Sequence, residues 1–122
     1  MSDNWRLGVD EEVVERARAL RQLIGAEAAQ GQEDRQVTRR VLDAMDEARL
    51  MNMLTPVRLG GEGHNTRTMV EALIELGKAD ASACWTAALV NACTWFCVAF
   101  SERAQQEVWG GNPNAKACGI FI

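Results

Sequence analysis

The chain has one histidine, His64, and no cluster of carboxylates or thiols spaced around it. No metal site is therefore expected. Nothing in the spacing pairs His64 with Cys93 as base and nucleophile either. Close CxxC pairs are missing: Cys84, Cys93, Cys97 and Cys118 all fall in the last third, three of them in an apolar run. They read as small buried residues of a protein kept in a reducing cytoplasm. Clustered cations are also missing. With a net charge of −4 and arginines interleaved with acids, as in Arg39-Arg40 before Asp43 and Asp46, the phosphate backbone of a nucleic acid is not the expected partner. The N-terminus is polar and acidic up to Val9 and has no signal-peptide pattern. No repeat or low-complexity tract occurs.

Charge has one long gap. Residues 81–101 carry no ionisable side chain except thiols, and their polar groups are confined to Ser82, Thr86, Asn91, Thr94 and Ser101. The run is long enough to span a bilayer. Its richness in Ala and Cys, and the lack of a basic cluster after it, favour a helix buried on most sides within a domain.

What is present is mostly helical periodicity. A first helix is expected from an Asp10 N-cap to about Gln30, with Val13, Ala17, Leu20 and Ile24 in register and Gly31 as the stop. A second runs from about Asp34 to Met53, and Thr55 to Asn65 forms a glycine loop. A third begins near Thr66 or Thr68, where Thr68-Met69-Val70-Glu71 fits a capping box, and ends at Gly77. A fourth, capped by Asp80 or Ser82, reaches about Phe100. A short one covers Glu102 to Val108, and Gly110-Gly111-Asn112-Pro113 breaks it. Ala117 to Ile122 reads as the start of a strand. The fold class is all-α, with residues 1–112 as a helical domain and 113–122 as the beginning of a β domain.

On the fourth helix, at about 100° per residue, Trp85, Leu89, Ala92 and Phe96 share a stripe. Cys84, Ala88, Asn91 and Trp95 form a second stripe. Each tryptophan reads either as core or as the wall of a pocket, and Asn91 either as a core amide or as a ligand contact. The Gly60-Gly61-Glu62-Gly63 loop is no dinucleotide fingerprint, lacking the preceding strand and the sixth-position glycine. It is either a tight connection or a backbone edge beside a cavity.

The order of these features resembles the N-terminal helical domain of the acyl-CoA dehydrogenase fold. The phrase Glu47-Ala48-Arg49-Leu50 through Pro56, followed by Gly60-Gly61-Glu62-Gly63 and two helices, is similar to the family pattern from about Val9 onward. Arg49 stands where the family usually has Gly, and Leu59 where it often has Tyr or Phe. Ser82-Ala83-Cys84-Trp85, Cys93-Thr94-Trp95 and Trp109-Gly110-Gly111-Asn112-Pro113 resemble phrases of the two-component flavin-dependent monooxygenase branch, with Cys93 in place of a histidine.

That resemblance implies the front part of an oxygenase component. A partner flavin reductase would supply reduced FMN or FAD, O2 would be activated on it, and oxygen would pass to an aromatic or polycyclic substrate. Trp85, Asn91, Cys93 and Trp95 would shape the substrate end. Phe121 and Ile122 would approach the flavin, which domains beyond this segment would mostly hold, along with the catalytic residues. A homo-oligomer, dimer or tetramer, is implied at full length, and no membrane. Two alternatives stay open at this point: an acyl-CoA dehydrogenase proper, and a stand-alone helical interaction module.

Overall fold

The computed structural model describes residues 8–120. They form six α-helices: α1 (Glu11–Ala19), α2 (Arg21–Asp34), α3 (Arg39–Glu47), α4 (Thr66–Gly77), α5 (Ala81–Phe96) and α6 (Glu102–Trp109). Single 3-10 turns lie at Val57–Leu59 and Cys97–Ala99. No strand occurs among the described residues. Residues 117–120 lack regular structure, so the expected strand is not formed there; Phe121 and Ile122 lie outside the described residues.

Several expected boundaries move, each for a local reason. The first helix breaks at Leu20 into α1 and α2 and continues past Gly31 to Asp34. Gly31 is not the stop. Its value is proximity, because a Cβ there would lie 3.0 Å from the Gln36 carbonyl oxygen where the chain turns back. The stop is Arg35, which takes a left-handed φ of 54°. The second helix begins only at Arg39, with the Thr38 hydroxyl accepting from Val41 N, and ends at Glu47. Arg49 ends it, again left-handed at φ 57°. Sequence periodicity ran on to Met53 because Leu50, Met51 and Met53 are buried anyway, in a non-helical turn that lines the core.

α4 is capped by Asn65, whose side-chain oxygen accepts from Thr68 N at 2.8 Å, rather than by Thr66 or Thr68. Thr68 serves elsewhere: its hydroxyl accepts from Asp10 N at 3.0 Å and so joins the start of α1 to α4. α5 is capped by Asp80 through Ser82 N and Ala83 N, and α6 by Ser101.

α1 packs chiefly against α4, and α4 against α5. Val13 and Ala17 of α1, Ala72 and Leu76 of α4, and Ala83 and Ala87 of α5 meet in one core with Met45 and Leu50. Small residues on α1 and α5 let the helices approach closely, and burying a side chain such as Leu76 contributes about 2 kcal/mol. α5 departs from the expectation of burial on most sides. One stripe, including Ala83, Ala87, Val90 and Asn91, is buried, while Trp85, Trp95 and Phe96 face outward. Ala81–Ala99 has the length and apolarity of a membrane span, and 39% of that run is buried, its core stripe facing α4.

Candidate functional site

The glycine loop is a folded unit. Gly63 N donates to the Thr55 carbonyl at 2.9 Å, Gly61 N to Pro56 at 3.1 Å, and His64 N to Met53 at 3.0 Å. A Cβ at Gly61 would fall 2.0 Å from the Thr55 oxygen, and one at Gly60, whose φ is 91°, would fall 2.5 Å from Pro113 Cβ. Only glycine admits those approaches. Of the two readings, the loop is therefore a tight connection, closed on its outer side by Pro113.

Glu62 is the residue of this loop that sequence reasoning missed. Its carboxylate accepts two bonds from Arg16 of α1, at 3.0 and 2.8 Å, and pairs with Arg49 Nε at 3.1 Å. His64 Nε2 lies 2.6 Å from it, and His64 Nδ1 lies 3.6 Å from Asp10. Desolvation pushes the Glu62 carboxyl upward, but hydrogen bonds from His64 and Arg16 outweigh it and hold the group below its ordinary range. The signal available in sequence was Arg49 at a family glycine position. Its left-handed backbone is the conformation glycine would supply, and its side chain offsets the strain by binding Glu62 and, at 3.2 Å, the Gly60 carbonyl.

The four expected substrate residues do not converge. Asn91 is only 1% exposed. Its oxygen accepts from Met53 N at 2.7 Å, and its Nδ2 donates to the Leu50 and Ala87 carbonyls at 2.8 Å each. That amide is spent on fixing the 50–53 turn to α5, which corrects the ligand-facing reading of Asn91. Cys93 is buried, and its carbonyl accepts from the Cys97 thiol at 3.5 Å. Next to it, the buried Thr94 hydroxyl accepts from Ala117 N at 3.0 Å. Trp95 is 51% exposed and stands 5.9 Å from the Phe96 ring, with Phe100 also exposed nearby in sequence. Trp85, 66% exposed, lies ten positions earlier, which is about 15 Å along the axis. The two tryptophans cannot wall one small-molecule site. Trp85 instead lines a groove of about 1000 Å3 between α2, the α2–α3 connection and the start of α5.

Residues 10–111 match the family model described as "Acyl-CoA dehydrogenase, N-terminal domain". The chain belongs to that family. Within it, the chain is 35% identical over 109 residues to the FADH(2)-dependent resorcinol hydroxylase, oxygenase component, of Rhizobium sp. (strain MTP-10005), which covers 89% of this chain and 27% of that protein. It is 30% identical over 94 residues to the flavin-dependent monooxygenase, oxygenase subunit HsaA, of Mycobacterium tuberculosis, covering 76% of this chain and 24% of the relative. Among solved structures, XiaF from Streptomyces sp. in complex with FADH2 and glycerol superposes with a TM-score of 0.82 at 28% identity, over 87% of this chain and 27% of that one. The family chains thus extend about four times the length seen here. The all-helical fold and the family resemblance read from the sequence agree with these matches.

Proposed function

We propose that this chain is the front domain of the oxygenase component of a two-component flavin monooxygenase that hydroxylates an aromatic or polycyclic substrate. The observation that carries the reading is the 35% identity to such a component across nearly the whole chain. Reduced flavin, FAD or FMN, supplies the electrons that activate O2, with one oxygen atom going to the substrate ring and the other to water. A separate reductase delivers the flavin. Phe121 and Ile122, outside the described residues, are the positions proposed to approach it, and the flavin's other contacts would come from the rest of a family-length polypeptide. The full protein would act as a homo-oligomer in the cytoplasm.

This chain's part is to build a dry wall. The α5 end bearing Trp95, Phe96 and Phe100 is apolar and exposed, and once covered it would exclude water from the reacting atoms. Trp95 would present its ring face to the substrate. Cys93 would sit behind it as a small buried neighbour.

The test uses a family-length protein carrying these residues, mixed with a flavin reductase, NADH, a phenolic substrate and isotopically labelled O2. Labelled hydroxylated product is expected, and Trp95→Ala should raise KM and divert electrons to peroxide. O2-independent oxidation of an acyl-CoA, without phenol turnover, would overturn the proposal in favour of a dehydrogenase.

A further inference from the structure

The groove at the other end of α5 has its own chemistry. Its floor is α2, where Gly25, Ala28 and Ala29 keep the surface open, and Trp85 forms the facing wall. Three ionisable groups line it besides hydroxyls and amides: Glu27, Arg35 and Asp80. Glu27 is neutralised by Arg40 at 3.4 Å. Asp80 is occupied in capping α5, with its oxygens 3.2 Å from Ser82 N and Ala83 N, so helix end and carboxylate offset each other.

Arg35 has no such partner. Among the described residues every other Lys or Arg side chain has an interaction, and Arg35 alone has none. Its left-handed backbone, φ 54°, belongs to the end of α2, where Arg35 N donates to the Gln32 carbonyl and Gln36 N to the Gly31 carbonyl, and it sets the side chain at the mouth of the groove. A bare guanidinium and a bare indole thus line one concavity, whose volume is at the upper end of small-molecule sites.

We infer that this groove is a second ligand site, separate from the Trp95 end, for a planar aromatic molecule carrying one anionic group. The ring would lie on Trp85 and the anion would pair with Arg35. One uncompensated cation matches one negative charge, and the flat exposed indole selects a ring over an aliphatic chain. The inference does not rest on the monooxygenase reading, since Trp85 and Trp95 lie at opposite ends of α5.

Naphthoate titrated into the purified chain tests it, followed by NMR of the indole N–H signals, with the Trp85 signal assigned by its loss in Trp85→Phe. Saturable shift of the Trp85 signal is expected. Arg35→Gly, which suits the left-handed backbone and leaves the fold intact, should weaken binding about tenfold, as should replacing naphthoate by uncharged naphthamide, whereas Arg35→Lys should stay within about threefold. Binding unchanged in Arg35→Gly, or a shift confined to the Trp95 signal, would overturn the inference. So would a family-length protein that no longer responds, because the groove would then be an internal seat for the rest of the polypeptide.

Discussion

The α1–α4 half and the α5 half hold together by different means. α1, α2 and α4 are laced by ions: Glu75, nearly buried on α4, receives Lys78 at 2.8 Å, Arg21 at 3.3 Å and Arg18 at 3.4 Å, while Glu62 gathers Arg16 and Arg49. α5 has no charge of its own, and one amide, Asn91, ties it to the 50–53 turn. Directional pairs specify their partners, so the ionic contacts of the first half are satisfied within it. Apolar surface specifies little beyond shape, so the outer face of α5 is left to whatever covers it.

The sharpest way to break this contrast is Asn91→Ala. It strands Met53 N, the Leu50 carbonyl and the Ala87 carbonyl in the core, and should lower stability by about 3 kcal/mol or more in urea unfolding. A loss below about 1 kcal/mol would mean that α5 is held by packing alone.

Acid probes the other half. Lys78 foremost, then Arg18, holds the Glu75 carboxyl below its ordinary range against desolvation, and Glu62 is likewise lowered. A carboxylate with a lowered folded pKa binds fewer protons folded than unfolded. Its stabilisation is therefore fully present above about pH 4.5 and is lost as pH falls through the folded values. Urea midpoints should be flat near neutrality and fall below about pH 4.5, and Glu62→Gln or Glu75→Gln should each lower the neutral plateau by about 1–2 kcal/mol while shallowing the acid slope.

Two left-handed arginines give a finer comparison. Arg35→Gly should raise stability by about 1 kcal/mol, since strain goes and no contact is lost. Arg49→Gly should gain less, because the Glu62 pair goes with it. Thermal melts of the two variants side by side would show the difference. Smallest of all is Trp85→Ala, expected within about 0.5 kcal/mol of the parent because the ring is exposed.

Much of the helical layout was legible. Asp80 was readable as a cap because a carboxylate just before an apolar run has few other uses. The α3 end was not, because Leu50, Met51 and Met53 keep helical spacing while arginine, not glycine, makes the left-handed turn. At the candidate site, the exposed Trp95 is compatible with its expected role, whereas Asn91 takes the core-amide reading and not the ligand-facing one. Sequence marks a lone amide in an apolar helix, but its partners lie about 40 residues away, in a turn with no signature of its own. Arg35 was invisible for the opposite reason: an arginine is known to be unpartnered only once every acid near it is accounted for.

The segment around Pro113 bears on the order in which the chain takes shape at the ribosome. Asn114 meets Asn52 at 3.2 Å, Lys116 meets Asp46 at 2.7 Å, and Pro113 closes over Gly60, all across more than 50 residues of sequence. The glycine loop therefore stays uncovered until residues 113–116 have left the exit tunnel, well after the loop itself has been made. Residues 113–116 act as a seal on a surface made earlier.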